Sequence, residues 1–162
     1  MYFIHYIARK YNLNYSAEDE IMVTVGGSEA IDVALRCMVD PGDEVLIPQP
    51  CYVSYVPCAV MADAKPVIIN LKEENEFKLT KEELIASITD KTKILILAYP
   101  NNPTGAIMTK EELAELVPVI IDNDLYVISD EIYSELTYGS RHCSIASFPG
   151  MKERTVVING FS

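Results

Sequence analysis

The chain has 162 residues, of which 49% are hydrophobic, and this composition indicates a folded globular protein rather than a disordered one. Its formal net charge is −11, with acidic residues spread along the chain, which argues against nucleic acid or an anionic membrane as a partner because both are bound by basic patches. No apolar run approaches membrane-spanning length and no signal-peptide pattern opens the chain, so we expect a cytoplasmic location.

The cysteines and histidines show no metal-binding pattern. There is no CxxC pair and no histidine at a zinc-ligand spacing from a cysteine. We therefore expect reduced thiols at all four cysteines, and we interpret His5 and His142 as surface or hydrogen-bonded side chains. The cysteines are Cys37, Cys51, Cys58 and Cys143.

The first half of the chain predicts helices that alternate with strands. Residues 2–12 have apolar side chains at helical spacing, and residues 21–25 are a β-branched run typical of a strand. A helix is expected over residues 28–39, with Ser28 near its N-cap. It is followed by a turn at 40–43, a strand at 44–47 that Pro48-Gln49-Pro50 breaks, a helix at 52–61 and a strand at 66–71.

Two capping boxes predict helices in the second half. Thr80 with Glu83, and Thr109 with Glu112, have the spacing of a helix N-terminus closed by reciprocal hydrogen bonds. Strands alternating with helices indicate the α/β class, with a mainly parallel, doubly wound sheet flanked by helices in a single domain. The remaining strands are expected at 93–98, 125–129 and 155–158.

Three polar clusters each follow a predicted strand, at 26–29, 101–105 and 130–133. In a parallel sheet they would share one edge, the place where open α/β sheets bind ligands. The glycines before a helix suggest an anion site, although a plain turn and cap explains them equally well in isolation. They form neither a GxxxxGK loop nor a GxGxxG fingerprint.

Taken together and in order, five motifs carry a family resemblance. They are VGGSEAIDVAL, the prolyl-tyrosyl segment around Tyr52 and Tyr55, YPNNPTG, SDEIY and the terminal NGFS. The chain resembles the class I/II, aspartate aminotransferase-like aminotransferases, which are pyridoxal-phosphate enzymes of fold type I. The resemblance covers nearly the whole chain and implies that residues 1–162 form part of the large, cofactor-binding domain.

The resemblance implies a site for pyridoxal 5′-phosphate. It assigns Asp130 to the pyridine nitrogen, because a carboxylate there keeps the ring protonated and effective as an electron sink. It assigns Asn102 and Tyr133 to hydrogen bonds with the phenolic oxygen of the ring. It places Tyr52 against the ring face.

The resemblance assigns the phosphate to Gly27, Ser28 and Glu29, chiefly through backbone N–H groups at the helix start. The carboxylate of Glu29 does not suit an anion site, so we expect a backbone contact with that side chain turned away. A cis peptide bond between Asn102 and Pro103 is also implied.

In this family the Schiff-base lysine directly follows the motif found here at residues 159–162, and the chain stops at Ser162. We therefore assign no catalytic residue within the chain. We also expect the family's N-terminal segment and its C-terminal small domain to lie outside this chain. The expectation is a fragment of an aminotransferase with no turnover of its own.

The leading hypothesis for the parent protein is exchange of an amino group between an amino acid and a 2-oxo acid, in an enzyme that the family implies to be a homodimer. A carbon–sulfur lyase with the same cofactor and fold is an alternative. A third hypothesis is a non-catalytic, aminotransferase-like sensor domain of a transcription regulator.

Overall fold

The computed structural model describes residues 2–160, so Phe161 and Ser162, the end of the NGFS motif, lie outside the described residues. Five strands form one sheet in the order β2-β1-β3-β4-β5, and every neighbouring pair is parallel. The predicted α/β class with a parallel sheet is confirmed. The strands are β1 (Glu44–Gln49), β2 (Lys65–Asn70), β3 (Thr92–Ala98), β4 (Tyr126–Asp130) and β5 (Thr155–Ile158).

Both predicted capping boxes are present, with Thr80 and Thr109 each accepting a hydrogen bond from the backbone three residues on. None of the helices between residues 2 and 160 has the length and apolar content that crossing a membrane requires. The α-helices are α1 (Tyr2–Tyr11), α2 (Gly27–Met38), α3 (Tyr55–Met61), α4 (Lys81–Ser87) and α5 (Lys110–Asp122), and short 3₁₀ turns lie at Glu73–Asn75, Ile145–Ser147 and Lys152–Arg154.

The sheet is covered on both faces, which explains why its central strand is apolar without alternation. Leu95 and Leu97 of β3 pack on the side that holds α4 and α5. Ile94 and Ile96 point the other way, toward α2 and α3. Because helices cover both faces of the sheet, polar functional side chains can lie only at the ends of the strands.

The strand predicted at residues 21–25 is wrong. The segment belongs to no sheet in the described structure, and Val23 and Val25 are 93% and 89% exposed. β-Branched residues form a strand only where a neighbouring strand satisfies their backbone, and within residues 2–160 no strand pairs with this segment.

Two predicted boundaries are also wrong. The first strand continues through Pro48 to Gln49, because β1 pairs with β3 only as far as Leu46 and beyond that point bonds to β2 alone. Because β1 no longer pairs with β3 at Pro48, the missing backbone N–H of the proline removes no hydrogen bond to β3.

Helix α2 begins at Gly27 with Gly26 as its N-cap, and Gly26 has a φ of 82°, which glycine adopts without strain. Ser28, predicted to lie near the N-cap, is the second residue of the helix.

Candidate functional site

A cavity of about 170 Å³ opens at the carboxyl edge of the sheet, between the ends of β3 and β4 and the start of α2. Six of the seven residues predicted from the motifs line it: Gly27, Ser28, Tyr52, Asn102, Asp130 and Tyr133. The remaining lining residues are Ile31, Tyr55, Ala98, Pro100 and Ile132, which sequence reasoning left without a role. The three polar clusters thus meet at one edge, as the parallel sheet requires.

Asp130, the last residue of β4, is a buried carboxylate held in one orientation. Its Oδ2 accepts a hydrogen bond from Tyr55 Oη at 2.7 Å, and its Oδ1 accepts one from the backbone N–H of Ile132 at 3.2 Å. Burial raises the pKa of Asp130, and these two donors oppose that rise. Both oxygens accept hydrogen bonds, so the carboxylate suits a cationic ligand beside it.

Tyr55 lies in one of the motifs and lines the cavity, but no role in the site was predicted for it from the sequence. It begins α3, its side chain is buried, and it is a hydrogen-bond donor because burial and the charge of Asp130 raise the pKa of its hydroxyl. Its ring meets that of Tyr52 edge to face, with centroids 5.8 Å apart. Its spacing of three residues from Tyr52 was the available signal, because such a spacing lets both rings face one site.

The start of α2 forms a second polar wall of the cavity that contains Asp130. The first N–H groups of an α-helix have no intrahelical acceptor, and the helix dipole is positive at that end. Ser28 Oγ lies 3.2 Å from Tyr52 Oη, and hydrogen bonds from Ser28 and Ser54 lower the pKa of Tyr52. The wall therefore offers several donors to an anion.

Glu29 is the one predicted residue that does not line the cavity. Its carboxylate turns back along the chain and accepts a hydrogen bond from the backbone N–H of Val25. The side chain is thus turned away, as expected, and the backbone contact assigned to Glu29 stays a prediction.

The loop after β3 is organised by Asn101 rather than Asn102. Asn101 is buried, its Oδ1 accepts from Thr104 N and Thr104 Oγ1, and its Nδ2 donates to Pro50 O at 3.3 Å. This network leaves Asn102 on the cavity side. The peptide bonds Gln49–Pro50, Tyr99–Pro100 and Asn102–Pro103 are cis, of which only the last was expected.

The residues present fit pyridoxal 5′-phosphate. A fixed buried carboxylate suits a protonated ring nitrogen, a tyrosine ring suits an aromatic face, and a helix N-terminus suits a phosphate. Asn102 and Tyr133 add two side chains that can donate to a ring oxygen. None of the lysines described between residues 2 and 160 lines this cavity.

Comparison with known proteins identifies the family of the chain. The family model described as "Aminotransferase class I and II" matches residues 2–162. A putative aminotransferase of Bacillus subtilis, YugH, is 46% identical over 157 residues, covering 97% of this chain and 41% of that protein. An aspartate aminotransferase of Musicola paradisiaca is 46% identical over 146 residues, covering 90% of this chain and 36% of that protein.

Solved structures show the same arrangement of the backbone. The aromatic aminotransferase from Pyrococcus horikoshii superposes with a TM-score of 0.96 at 42% identity, covering 98% of this chain and 43% of that one. The chain therefore spans about two fifths of the length of the relatives it matches.

Proposed function

Since the chain belongs to the class I and II aminotransferases, we propose that it forms the cofactor-binding part of an enzyme that exchanges an amino group between an amino acid and a 2-oxo acid. Enzymes of this family depend on pyridoxal 5′-phosphate. The proposal is carried by one observation: Asp130 lies buried in the cavity with both carboxylate oxygens fixed, by Tyr55 and by the backbone of Ile132.

Asp130 would hold the ring nitrogen in its protonated form. A buried carboxylate favours a cation beside it, because each charge offsets the desolvation of the other. Asn102 and Tyr133 would donate to the phenolic oxygen, and Tyr52 would contact the ring face. When bound, the cofactor supplies an electron sink for the electron pair released at the carbon that carries the amino group.

Gly27, Ser28 and Glu29 would bind the phosphate through their backbone N–H groups at the start of α2. Tyr52 and Ser28 support that edge, since their hydroxyls lie within hydrogen-bond distance of each other. The position of the Glu29 carboxylate, bonded to the backbone of Val25, removes its charge from direct contact with the anion.

The lysine that binds the cofactor covalently would directly follow the motif at residues 159–162, since none of the lysines described between residues 2 and 160 lines the cavity. The homodimer and the cytoplasmic location stay predictions. Relatives that match at 44–46% identity are named for aspartate, for aromatic amino acids and for N-acetyl-LL-diaminopimelate. The segment they share would then serve the common amino transfer rather than one substrate.

The test is amino-group transfer by the parent protein loaded with pyridoxal 5′-phosphate, followed as the new amino acid formed from a 2-oxo acid. Asp130→Ala should lower the rate about 10²–10³-fold, as loss of one preorganised charge contact does. Glu44→Gln, a change in a buried carboxylate at the opposite edge of the sheet, should not. Elimination of the substrate side chain without amino transfer would contradict the proposal and indicate a lyase.

A further inference from the structure

The residue after Asp130 is a second buried carboxylate that the cofactor site does not use. Glu131 is 1% exposed, and its side chain points away from the cavity, as alternation along an extended strand end requires. Its Oε1 accepts hydrogen bonds from Ser129 Oγ at 2.9 Å and Ser144 Oγ at 2.7 Å. A buried carboxylate with this many donors is fixed in position.

The third partner of Glu131 is His142, whose Nε2 lies 2.9 Å from Glu131 Oε2. The His142 side chain is only 7% exposed, and its ring packs edge to face against Tyr11 of α1, with centroids 5.5 Å apart. Ser144 belongs to the segment that follows. The network therefore ties the end of β4 to the segment 142–144 and, through Tyr11, to the first helix.

The backbone of Glu131 is held as firmly as its side chain. Its N–H donates to Ile158 O of β5 at 2.8 Å, and its carbonyl accepts from Ser134 N at 2.9 Å. The turn that carries Asp130, Ile132 and Tyr133 into the cavity is thus anchored at its centre. A shift of Glu131 would move the cavity residues on both sides of it.

Charge gives a second reason for this arrangement. Two consecutive buried carboxylates repel each other, and Glu131 contributes to raising the pKa of Asp130. Three donors hold the Glu131 oxygens on the far side of the strand. They keep that charge away from the cavity face, where Asp130 meets the ligand.

We propose that Glu131, held by His142, Ser129 and Ser144, is a positioning residue that sets the orientation of Asp130 toward the ring nitrogen of the cofactor. This role rests on the proposed function, because it needs the contact between Asp130 and that nitrogen. His142 and Ser144 act through Glu131 and touch no ligand. The network accordingly governs how well the site distinguishes a ring nitrogen from a ring carbon.

The test compares two probes bound by the chain. One is pyridoxamine 5′-phosphate, and the other is its analogue with carbon in place of the ring nitrogen. The variant His142→Phe keeps a ring against Tyr11 and deletes the donor to Glu131, while Ser144→Ala is a smaller change that keeps the proposal testable where the first variant does not fold. Glu44→Gln is the matched control, another buried carboxylate that accepts hydrogen bonds from hydroxyl groups.

The wild-type chain should prefer the nitrogen-containing probe, and His142→Phe or Ser144→Ala should reduce that preference about threefold to tenfold. The control should keep it. The positioning role is overturned if the folded variants retain the wild-type preference to within about twofold, or if they weaken the binding of both probes equally. Either result leaves the proposed function intact. A wild-type chain without any preference contradicts the contact of Asp130 itself, and with it the proposed function.

Discussion

Tyr55 Oη donates a hydrogen bond to Asp130 Oδ2 at 2.7 Å, joining the start of α3 to the end of β4. The other oxygen of Asp130 accepts a hydrogen bond from the backbone N–H of Ile132, so both carboxylate oxygens have a donor within the protein. The bond lies in a buried setting, where a donor to a charged acceptor contributes more than at the surface. Tyr55 therefore sets both the direction and the charge of the group proposed to meet the ring nitrogen.

Replacing Tyr55 by phenylalanine should shift the pH dependence of ligand binding upward. The hydroxyl lowers the pKa of Asp130 against the effect of burial, so without it that pKa rises further. Asp130 then becomes protonated at a higher pH and loses its attraction for a cationic ring. The measurement is the pH midpoint of pyridoxamine 5′-phosphate binding, with Tyr126→Phe, an exposed tyrosine of β4, as the control. An unchanged midpoint would contradict the role of Tyr55.

Asp130→Asn should stabilise the unliganded chain against unfolding and weaken the binding of the ligand. The folded pKa of Asp130 is raised by burial, so its destabilising effect is absent below the ordinary pKa and complete once the pH exceeds the folded pKa. At neutral pH the amide removes that cost, and we expect a gain of about 0.5–2 kcal/mol in the free energy of unfolding. The measurement is the free energy of unfolding of both proteins by urea at neutral pH. A loss of stability at neutral pH would show that Asp130 has a structural role instead.

Glu44→Gln should have the opposite effect on stability. Hydrogen bonds from Lys65 and Thr89 lower the pKa of Glu44, so its contribution is present above the ordinary value of 4.5 and is lost as the pH falls through the folded pKa. The glutamine variant should lose about 1–3 kcal/mol at neutral pH and little at acid pH. The check is the difference in urea midpoint between the two proteins at each pH. A difference that does not depend on pH would contradict the charge argument.

Gly27→Pro tests the phosphate wall without breaking the helix. Gly27 is the first residue of α2, where proline fits because that N–H has no intrahelical acceptor. The variant loses one donor, and affinity for pyridoxamine 5′-phosphate should fall about tenfold while affinity for pyridoxamine, which has no phosphate, is kept. Ser28→Ala retains every backbone N–H and should change the ratio less than Gly27→Pro does. Equal weakening of both ligands by the proline would place the phosphate elsewhere.

The sequence predicted the sheet because its strand signals are local. The run 93–98 is apolar without a break, and the two capping boxes mark helix starts within four residues of sequence. It also predicted which clusters would meet, since parallel strands place their carboxyl ends on one edge. The clusters at 101–105 and 130–133 follow from that rule, whereas the choice of Asn102 and Asp130 within them follows from the family resemblance, and the cavity contains both.

What the sequence did not predict depends on distant partners. Residues 21–25 have the composition of a strand, but pairing decides whether a strand forms. Pro48 continues β1 because the ladder to β3 has already ended, which no local pattern reveals. The hydrogen bond of Tyr55 to Asp130 joins residues from separate elements. No local sequence pattern identifies the three side-chain partners of Glu131 either.

The central proposal is that this chain forms the cofactor-binding part of an aminotransferase. An absorbance titration with pyridoxal 5′-phosphate tests it most directly, on the chain as it stands and on a version with one lysine appended after Ser162. We predict reversible binding by the first and covalent attachment by the second only, both weakened by Asp130→Ala. If neither protein binds the cofactor while circular dichroism shows both folded, the roles given to Asp130, Asn102 and Tyr133 are contradicted.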